Sequence, residues 1–225
     1  MSLLLLDLFC GAGGAARGYH DAGFTVIGVD INPQPRYPYQ FVQADALQFI
    51  EDLRTLEWEM RFLAAIHASP PCQHYSAMSR CRPGLTAKYP DLIEPAREQL
   101  IKSGRPYVIE NVEGAPLVNP VTLCGSHFNL ESEMPGIGRV GLQRHRLFET
   151  SFPVPDPGPH DHFLPPVQVT GHGASEHHRA HGKGEARASR EVMGISWMRR
   201  DELCESVPPA YTAYIGQYLM EHLNG

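Results

Sequence analysis

The sequence predicts an α/β fold in which helices cover both faces of a doubly wound, mostly parallel sheet. Apolar runs of strand length alternate with helix-length segments through the first half of the 225 residues. The first run, Leu3–Phe9, is apolar at nearly every position, as in strands that are buried on both faces. Glycines or polar residues follow these runs, so candidate ligand-binding groups should collect at the carboxyl ends of the strands.

The elements follow from local composition. A glycine turn ends the first strand, and the small residues Ala15 and Ala16 after it suit a closely packed helix. Asp30 closes the second strand, Asp45 precedes the second helix, and Ser69 with Pro70 ends the fourth strand. In order, we predict strand Leu3–Phe9, helix Gly13–Ala22, strand Thr25–Val29, strand Phe41–Gln43, helix Ala46–Leu56, strand Phe62–His67, helix Pro95–Ser103, strand Tyr107–Ile109 and a closing helix Ala210–Leu223.

The regular alternation stops in the second half of the chain. Residues 151–189 are rich in Pro, Gly and His and show almost no apolar periodicity, which predicts a long loop or a small irregular subdomain. Regular secondary structure is expected to resume at Arg190. The chain is therefore divided into a core at residues 1–150, an irregular insertion at 151–189 and a return to the core at 190–225.

Bulk composition limits the function classes. A hydrophobic fraction of 42% supports one α/β domain, and no stretch of eighteen apolar residues could span a membrane. The five cysteines form no disulfide framework, which favours free thiols in a reducing cytoplasm. A net charge of −6 argues against a uniformly basic nucleic-acid binder. Residues 78–106 and 171–200 nevertheless each hold six Lys or Arg against three acids. These two segments could bind a DNA duplex, or they could be ordinary solvated surface.

The turn Asp7-Leu8-Phe9-Cys10-Gly11-Ala12-Gly13-Gly14 is the first candidate binding site. Its glycines would let the backbone approach a ligand, and the helix that follows offers free N–H groups. The pattern fits NAD, FAD or S-adenosylmethionine. Asp30 could accept ribose hydroxyls, and Asp45 could accept an exocyclic adenine amine. Helix capping or turn formation explains each aspartate equally well.

Cys72 is the candidate nucleophile. It follows Pro70 and Pro71 at the end of a buried strand, where the two prolines fix the approach of the chain and remove backbone donors. A buried cysteine is usually inert packing, so the thiol alone does not establish catalysis.

Five segments in this order resemble the DNA (cytosine-5) methyltransferases. The glycine turn is followed by Pro71-Cys72-Gln73, then by Glu110-Asn111-Val112, which matches the family's Glu-Asn-Val. Gln143-Arg144-His145-Arg146 matches its Gln-Arg-x-Arg, and Ser206-Val207 to Ile215-Gly216 looks like its last motif. The resemblance covers residues 3–150 and 190–223. It implies a Rossmann-like, S-adenosylmethionine-dependent methyltransferase sheet with a small irregular insertion in place of a full target-recognition domain.

The resemblance implies methylation at C5 of cytosine in DNA. The Cys72 thiolate would add to C6 of a base that has left the stack, Glu110 would protonate or hydrogen-bond N3, and Arg146 would contact the base carbonyl while Arg144 orders the site. No metal is needed for this chemistry. The residues expected to bind the cofactor are Phe9, Gly11, Gly13, Gly14, Asp30, Ile31, Asp45, Pro70, Ser206 and Val207.

The resemblance also implies a DNA interface. The expected contacts are Gln73, Ser76, Arg80, Arg82, Arg179, Lys183, Arg187 and Arg190. Residues 151–189 would be a shortened target-recognition region, partly disordered without DNA, reading about two to four base pairs because few rigid side chains face the bases. The expected partner is double-stranded DNA, bound by a monomer of the kind found in phages and working in a bacterial cytoplasm, with an accessory protein as a further candidate for site recognition.

Three departures from the family bear on this interpretation. The insertion holds about forty residues where members usually have a hundred or more. Glu205 stands where the last motif usually has an asparagine, and Ile31 stands where a tryptophan often stacks on adenine.

Other functions compete. The same motifs occur in the family's tRNA-methylating branch, so RNA or single-stranded DNA is an alternative substrate. A catalytically silent DNA-binding homologue is a third reading, opposed by the intact Cys72, Glu110, Arg144 and Arg146. A metal site at Glu176-His177-His178 with His181 lacks a supporting cysteine or second motif and is not predicted.

Overall fold

The computed structural model describes residues 3–56, 60–75, 89–169 and 176–225, with side chains described from residue 185 in the last range. The described elements are β1 (Leu4–Leu8), α1 (Gly14–Asp21), β2 (Thr25–Asp30), β3 (Gln40–Gln43), α2 (Ala46–Thr55), β4 (Leu63–Ala68), α3 (Ile93–Ser103), β5 (Tyr107–Asn111), β6 (Val121–Leu123), β7 (Glu131–Met134), β8 (Gly138–Gly141), β9 (Arg146–Thr150), α4 (Glu176–Met193), α5 (Arg200–Glu205) and α6 (Pro209–Asn224). Short 3₁₀ turns occur at Cys72–His74 and Gly125–Phe128.

The predicted doubly wound sheet is confirmed. Seven strands lie in the order β3-β2-β1-β4-β5-β9-β6, and the first five are parallel while β9 and β6 are antiparallel to their neighbours. The chain winds outward in opposite directions from β1 and β4. Loops that leave the carboxyl ends of these two strands therefore diverge and leave a crevice, where such folds bind ligands.

Alternate residues of the central strands enter two separate cores. Leu5, Ala65 and Val108 face the layer of α1 and α6, together with Tyr19 and Tyr211. The neighbouring residues Leu6, Leu8, Ile66 and Ile109 face the layer of α2 and α3, which contributes Ile50 and Leu100. Because successive side chains of a strand point to opposite faces, a strand covered on both sides must be apolar throughout. This explains the continuous apolar runs in the sequence.

A third apolar cluster lies outside the main sheet. It joins the β7–β8 hairpin (Met134, Val140) to Val167, Val169 and one face of α4, and adds Ile195, Met198 and Leu203. The sequence predicts a long loop or a small irregular subdomain at residues 151–189, and regular secondary structure from Arg190. The structure differs in the second point, since α4 begins earlier, at Glu176.

The sequence signal for α4 is a face of small residues. Ala188 and Ser189, with Glu185, Val192 and Met193, are buried at spacings of three and four, a helical period that apolar scanning misses because few of these side chains are large and apolar. Residues 151–169 fit the original prediction, since Pro166, bridged to Gly141, is their one residue in a strand or bridge. No helix of the described residues is long and apolar enough to cross a membrane.

Candidate active site

Asn111 fixes the segment that carries Cys72. The Asn111 side chain is 1% exposed at the end of β5, and its Nδ2 donates to the Pro70 carbonyl at 2.9 Å. Its Oδ1 accepts from the Val112 amide at 3.0 Å, which sets the orientation of the amide group. Cys72 is the first residue of the 3₁₀ turn after β4 and is partly buried. The asparagine of the Glu-Asn-Val segment is therefore a positioning residue for the loop of the candidate nucleophile.

Glu110 is a buried carboxyl beside this loop. Its side chain is 7% exposed, and its Oε1 lies 2.9 Å from Nε of Arg146 on the antiparallel neighbour β9. Burial raises the pKa of Glu110, while Arg146, a hydrogen bond from Ser69 and the charge of Arg144 lower it, and burial is the largest influence. At a given pH, the protonated form of Glu110 is therefore more populated than that of an exposed glutamate, and a group that donates a proton to a base must be protonated.

The two arginines of the Gln-Arg-x-Arg segment have different surroundings. Arg146 faces Glu110, and its Nη1 donates to the His145 carbonyl at 2.9 Å. Arg144 points into the protein, where Nη1 donates to the Val169 carbonyl at 2.6 Å and Nη2 to the Cys204 carbonyl at 2.7 Å. Burial and Arg146 lower the pKa of Arg144 to about 9. Arg144 thus joins the segment before α4 to α5, and its role in ordering the site stays a prediction.

The thiol of Cys72 is not activated in advance. Burial raises its pKa above 9.0, and Glu110 adds to that rise, whereas Arg146 and Arg144 lower it. At neutral pH the thiol form therefore dominates, and the reactive thiolate is the minor species.

A buried chain of hydrogen bonds runs from Glu110 into the core. The Ser69 hydroxyl bonds Glu110, the Ser69 oxygen lies 2.8 Å from Nε2 of His67, and Nδ1 of His67 lies 3.0 Å from the Tyr19 hydroxyl. Burial lowers the pKa of His67 to about 3, so its imidazole is neutral. If the Tyr19 hydroxyl donates to Nδ1, Nε2–H donates to Ser69 and Ser69 donates to Glu110. Sequence reasoning missed this chain because Tyr19 lies 48 residues from His67 and no local pattern links the two.

The glycine turn has the strained geometry that close ligand approach requires. Phe9, Gly11 and Gly13 have φ values of 57°, 49° and 85°, and a Cβ built on Gly11 would meet no atom within 4 Å. Asp30 holds the turn, because its Oδ2 accepts from the Gly11 amide at 3.0 Å and its Oδ1 from the Asn32 amide at 2.9 Å. The Asp30 carboxylate thus holds the turn through the Gly11 amide, while the space next to the Gly11 Cα is open.

The last motif returns to the same turn. A Cβ on Gly14 would collide with the Val207 carbonyl and lie 3.0 Å from Cβ of Ser206, so only glycine allows this approach. Trp197, which the sequence did not single out, donates from Nε1 to the Ala12 carbonyl at 2.9 Å. These contacts bring the predicted cofactor residues Ser206 and Val207 to the start of α1.

Two predicted adenine contacts have different surroundings. Ile31 is 62% exposed directly after Asp30, as an apolar surface for a flat ring requires. Asp45 caps α2, and its Oδ1 accepts from the Leu47 and Gln48 amides at 3.0 Å each. The capping interpretation of Asp45 is therefore confirmed, and a contact with adenine stays a prediction. Together, the open turn, Asp30 and Ile31 fit S-adenosylmethionine.

The structure describes only some of the residues predicted to contact DNA. Gln73, next to Cys72, has a buried Oε1 without a hydrogen-bond partner among the described residues. Arg187 and Arg190 are exposed on α4, and Nε of Arg187 lies 3.0 Å from Glu191. Ser76, Arg80 and Arg82 and the side chains of Arg179 and Lys183 lie outside the described part of the chain, as do the Glu176, His177, His178 and His181 side chains.

Comparisons with known proteins agree with this architecture. The family model of the C-5 cytosine-specific DNA methylases matches residues 3–119, which include the glycine turn, Cys72 and Glu110. Similar solved structures include the Dnmt2 methyltransferase of Schizosaccharomyces pombe at a TM-score of 0.56 and the methyltransferase EhMeth of Entamoeba histolytica at 0.53. Each is 14% identical, and the alignments cover 100% of both chains for the first and 99% of both for the second. The search of curated proteins gave no significant match.

Proposed function

Because the chain belongs to the C-5 cytosine-specific DNA methylase family, we propose that it methylates C5 of cytosine in double-stranded DNA through a covalent bond from Cys72. Methylation of cytosine with S-adenosylmethionine as cofactor is the activity of this family. The substrate and the covalent mechanism are the proposal. The observation that carries it is the grouping of the Cys72 loop, buried Glu110 and Arg146 at the carboxyl ends of β4 and β5.

In the proposed reaction, Sγ of Cys72 forms a bond with C6 of cytosine. Electrons of the C5–C6 double bond move toward N3, which takes a proton from Glu110, so negative charge does not accumulate on the ring. The bound S-adenosylmethionine supplies the methyl group that the activated C5 takes up. A water molecule then removes the C5 proton, the bond from Sγ to C6 breaks, and the proton on N3 returns to Glu110.

The charge of Arg146 acts on both reacting groups, in favour of the thiolate and against the protonated carboxyl. It lowers the pKa of Cys72, which favours the thiolate, and it also lowers the pKa of Glu110, which favours the carboxylate. If a base carbonyl lies against the guanidinium of Arg146, the positive charge lies next to the substrate. The partly buried position of Cys72 also requires a target base that has left its stack, at a cost of a few kcal/mol for a paired base.

Mechanism-based trapping tests the proposal. Duplex DNA with 5-fluorocytosine at the target, incubated with S-adenosylmethionine, should form a stable adduct with the wild-type protein, since fluorine at C5 blocks the final proton removal. Cys72→Ser should form no adduct yet bind the cofactor. Cys204→Ser, which changes another partly buried thiol, is the matched control and should be trapped.

The substrate is decided in the same assay. Single-stranded DNA and RNA of the same sequence, each carrying 5-fluorocytosine, serve as competing substrates. Trapping by RNA alone would overturn the assignment of DNA, and an adduct formed equally by Cys72→Ser would overturn the assignment of the nucleophile.

A further inference from the structure

A cluster of one thiol and three imidazoles lies at the edge of the sheet, apart from the groups that act on the base. Its members are Cys124 after β6, His145 before β9, and His160 and His162 in the segment that follows β9. One potential ligand atom from each residue lies within 4.8 Å of all the others. Three separate parts of the chain therefore bring potential metal-binding atoms close together.

The distances suit a tetrahedral ion. Sγ of Cys124 lies 3.3 Å from Nε2 of His162, and Nε2 of His145 lies 2.9 Å from Nε2 of His160. Ligands around zinc stand about 3.3–3.8 Å apart, given bonds of about 2.0–2.3 Å to nitrogen and sulfur. These two pairs would open by only a few tenths of an ångström to admit an ion, and all four atoms already lie within 4.8 Å of one another.

The ring centres of the three imidazoles form a nearly equilateral triangle. The ring centroids of His145, His160 and His162 are separated by 5.1, 5.2 and 5.1 Å. Hydrophobic packing does not account for this triangle, because His162 is exposed and His145 and His160 are only partly buried. A cation at the centre would account for the convergence of their Nε2 atoms.

The surrounding groups support the same interpretation. Oε2 of Glu113 lies 3.4 Å from Nδ1 of His145, an arrangement in which a carboxylate orients an imidazole that binds metal through its other nitrogen. His127, although adjacent, is already engaged, because Nδ1 accepts from the Cys124 amide at 3.1 Å and Nε2 faces the Gly158 carbonyl at 3.0 Å. His127 therefore positions the backbone around the cluster.

We propose that Cys124, His145, His160 and His162 bind a structural zinc ion. One thiolate and three neutral imidazoles form a closed tetrahedral set that suits Zn²⁺ and leaves no position for a substrate, and this set does not suit Ca²⁺ or Mg²⁺, which require oxygen ligands. Binding replaces the proton of the Cys124 thiol, so the site carries a net charge of +1. The ion attaches the segment around His160 and His162, which has no helix or strand of its own, to the ends of β6 and β9.

The site also bears on catalysis, and this consequence rests on the proposed function. The carbonyl of His145 accepts from Nη1 of Arg146, whose Nε faces Glu110. An ion that fixes His145 therefore fixes the backbone acceptor that orients Arg146. Zinc removal should lower the methylation rate without removing any group that touches the base.

Metal analysis tests the proposal directly. Protein produced in zinc-supplemented medium should contain one zinc per chain by elemental mass spectrometry. His162→Ala removes an exposed ligand and should leave the fold intact, yet weaken zinc binding at least about tenfold in chelator competition. Cys124→Ser should do the same, whereas His20→Ala, which removes an exposed histidine outside the cluster, should bind like the wild type. Cobalt substitution should give a thiolate charge-transfer band that disappears in Cys124→Ser.

Thermal melting provides a second readout. Chelation should lower the Tm of the wild type and of His20→Ala, and added zinc should restore it, with no such response in His162→Ala. Wild-type protein without bound zinc and without a Tm response to added zinc would overturn the inference, as would equal zinc in wild type and His162→Ala. Trapping of 5-fluorocytosine by zinc-free protein would leave the proposed function standing, so the two failures are distinguishable.

Discussion

Burial affects the two groups that the proposed reaction uses in opposite senses. It raises the pKa of both, which favours the thiol of Cys72 over the reactive thiolate and the carboxylic acid of Glu110 over the carboxylate. The reactive pair therefore combines the minor form of Cys72 with the form of Glu110 that burial favours.

This pairing predicts an unusual pH dependence. In the interval between the pKa of Glu110 and the pKa of Cys72, each unit of pH multiplies the thiolate about tenfold and divides the protonated Glu110 about tenfold, so kcat/KM should be flat over that interval. It should fall below the pKa of Glu110, where the thiolate keeps decreasing, and above that of Cys72, where the acid keeps decreasing.

Glu110→Gln tests the origin of the plateau. Without a titrating acid, the residual rate should be lower by about 10²–10⁴ and should rise with pH up to the pKa of Cys72. Single-turnover methylation across pH measures both effects, and Glu51→Gln, which changes an exposed carboxyl on α2, is the control. A flat profile in Glu110→Gln would remove Glu110 from the proton transfer.

Asp30→Ala should weaken cofactor binding in two ways. It removes the acceptor expected for the ribose hydroxyls, and it releases the Gly11 amide that holds the glycine turn. Calorimetry with S-adenosylhomocysteine should show a loss of about 2–3 kcal/mol. Asp21→Ala, which removes an exposed carboxylate at the other end of α1, should bind normally. Equal affinities of the two variants would place the ribose contact elsewhere.

At the scale of elements, a buried ion pair joins α3 to β9. Nε and Nη2 of Arg97 each lie 2.8 Å from an oxygen of Glu149, and Glu149 also accepts from the Val118 amide at 2.8 Å. The two residues are 8% and 3% exposed. Since β9 begins with Arg146, this pair also supports the catalytic edge of the sheet.

Arg97→Ala should strongly destabilise the fold because it leaves the Glu149 carboxylate buried and unpaired. We expect the free energy of unfolding to fall by about 3–5 kcal/mol, measured by urea denaturation. Arg17→Ala removes an exposed i,i+4 partner of Asp21 and should cost less than about 1 kcal/mol. A similar small loss in Arg97→Ala would mean that the buried pair contributes little to stability.

At the scale of the whole molecule, the described part of the region after β9 contains a helix that its composition did not indicate. The β7–β8 hairpin supplies the apolar surface that residues 151–189 lack, and α4 packs on it with Ala188 and Val192. The surface opposite this packing carries the exposed Arg187 and Arg190. A recognition site of about two to four base pairs stays our prediction, with α4 as the proposed contact.

If α4 contacts phosphates, Arg187→Ala and Arg190→Ala should each reduce the slope of log K against log salt for DNA binding by about 1. The affinity for different duplex sequences should fall by a similar factor, because phosphate contacts carry no sequence information. Fluorescence anisotropy at several salt concentrations measures this, with Lys102→Ala on α3 as the control. An unchanged slope in both arginine variants would remove α4 from the interface.

The sequence by itself determined the central sheet and the identity of the chemistry. Continuous apolar strands and the residues that end them located the elements from Leu4 to Asn111 to within a few residues, because burial on both faces leaves a strong local pattern. The glycine turn, Cys72 and Glu110 were singled out because the short segments that hold them resemble, in the same order, the motifs of one family.

Only the tertiary structure decided how those segments act together. The pairing of Glu110 with Arg146 depends on the antiparallel register of β5 and β9, and the chain from Ser69 through His67 to Tyr19 depends on packing between α1 and β4. The zinc ligands Cys124, His145, His160 and His162 follow no local spacing, since they meet only when β6, β9 and the following segment come together. Contacts between distant residues leave no periodic signal in a single sequence, so folding alone creates these sites.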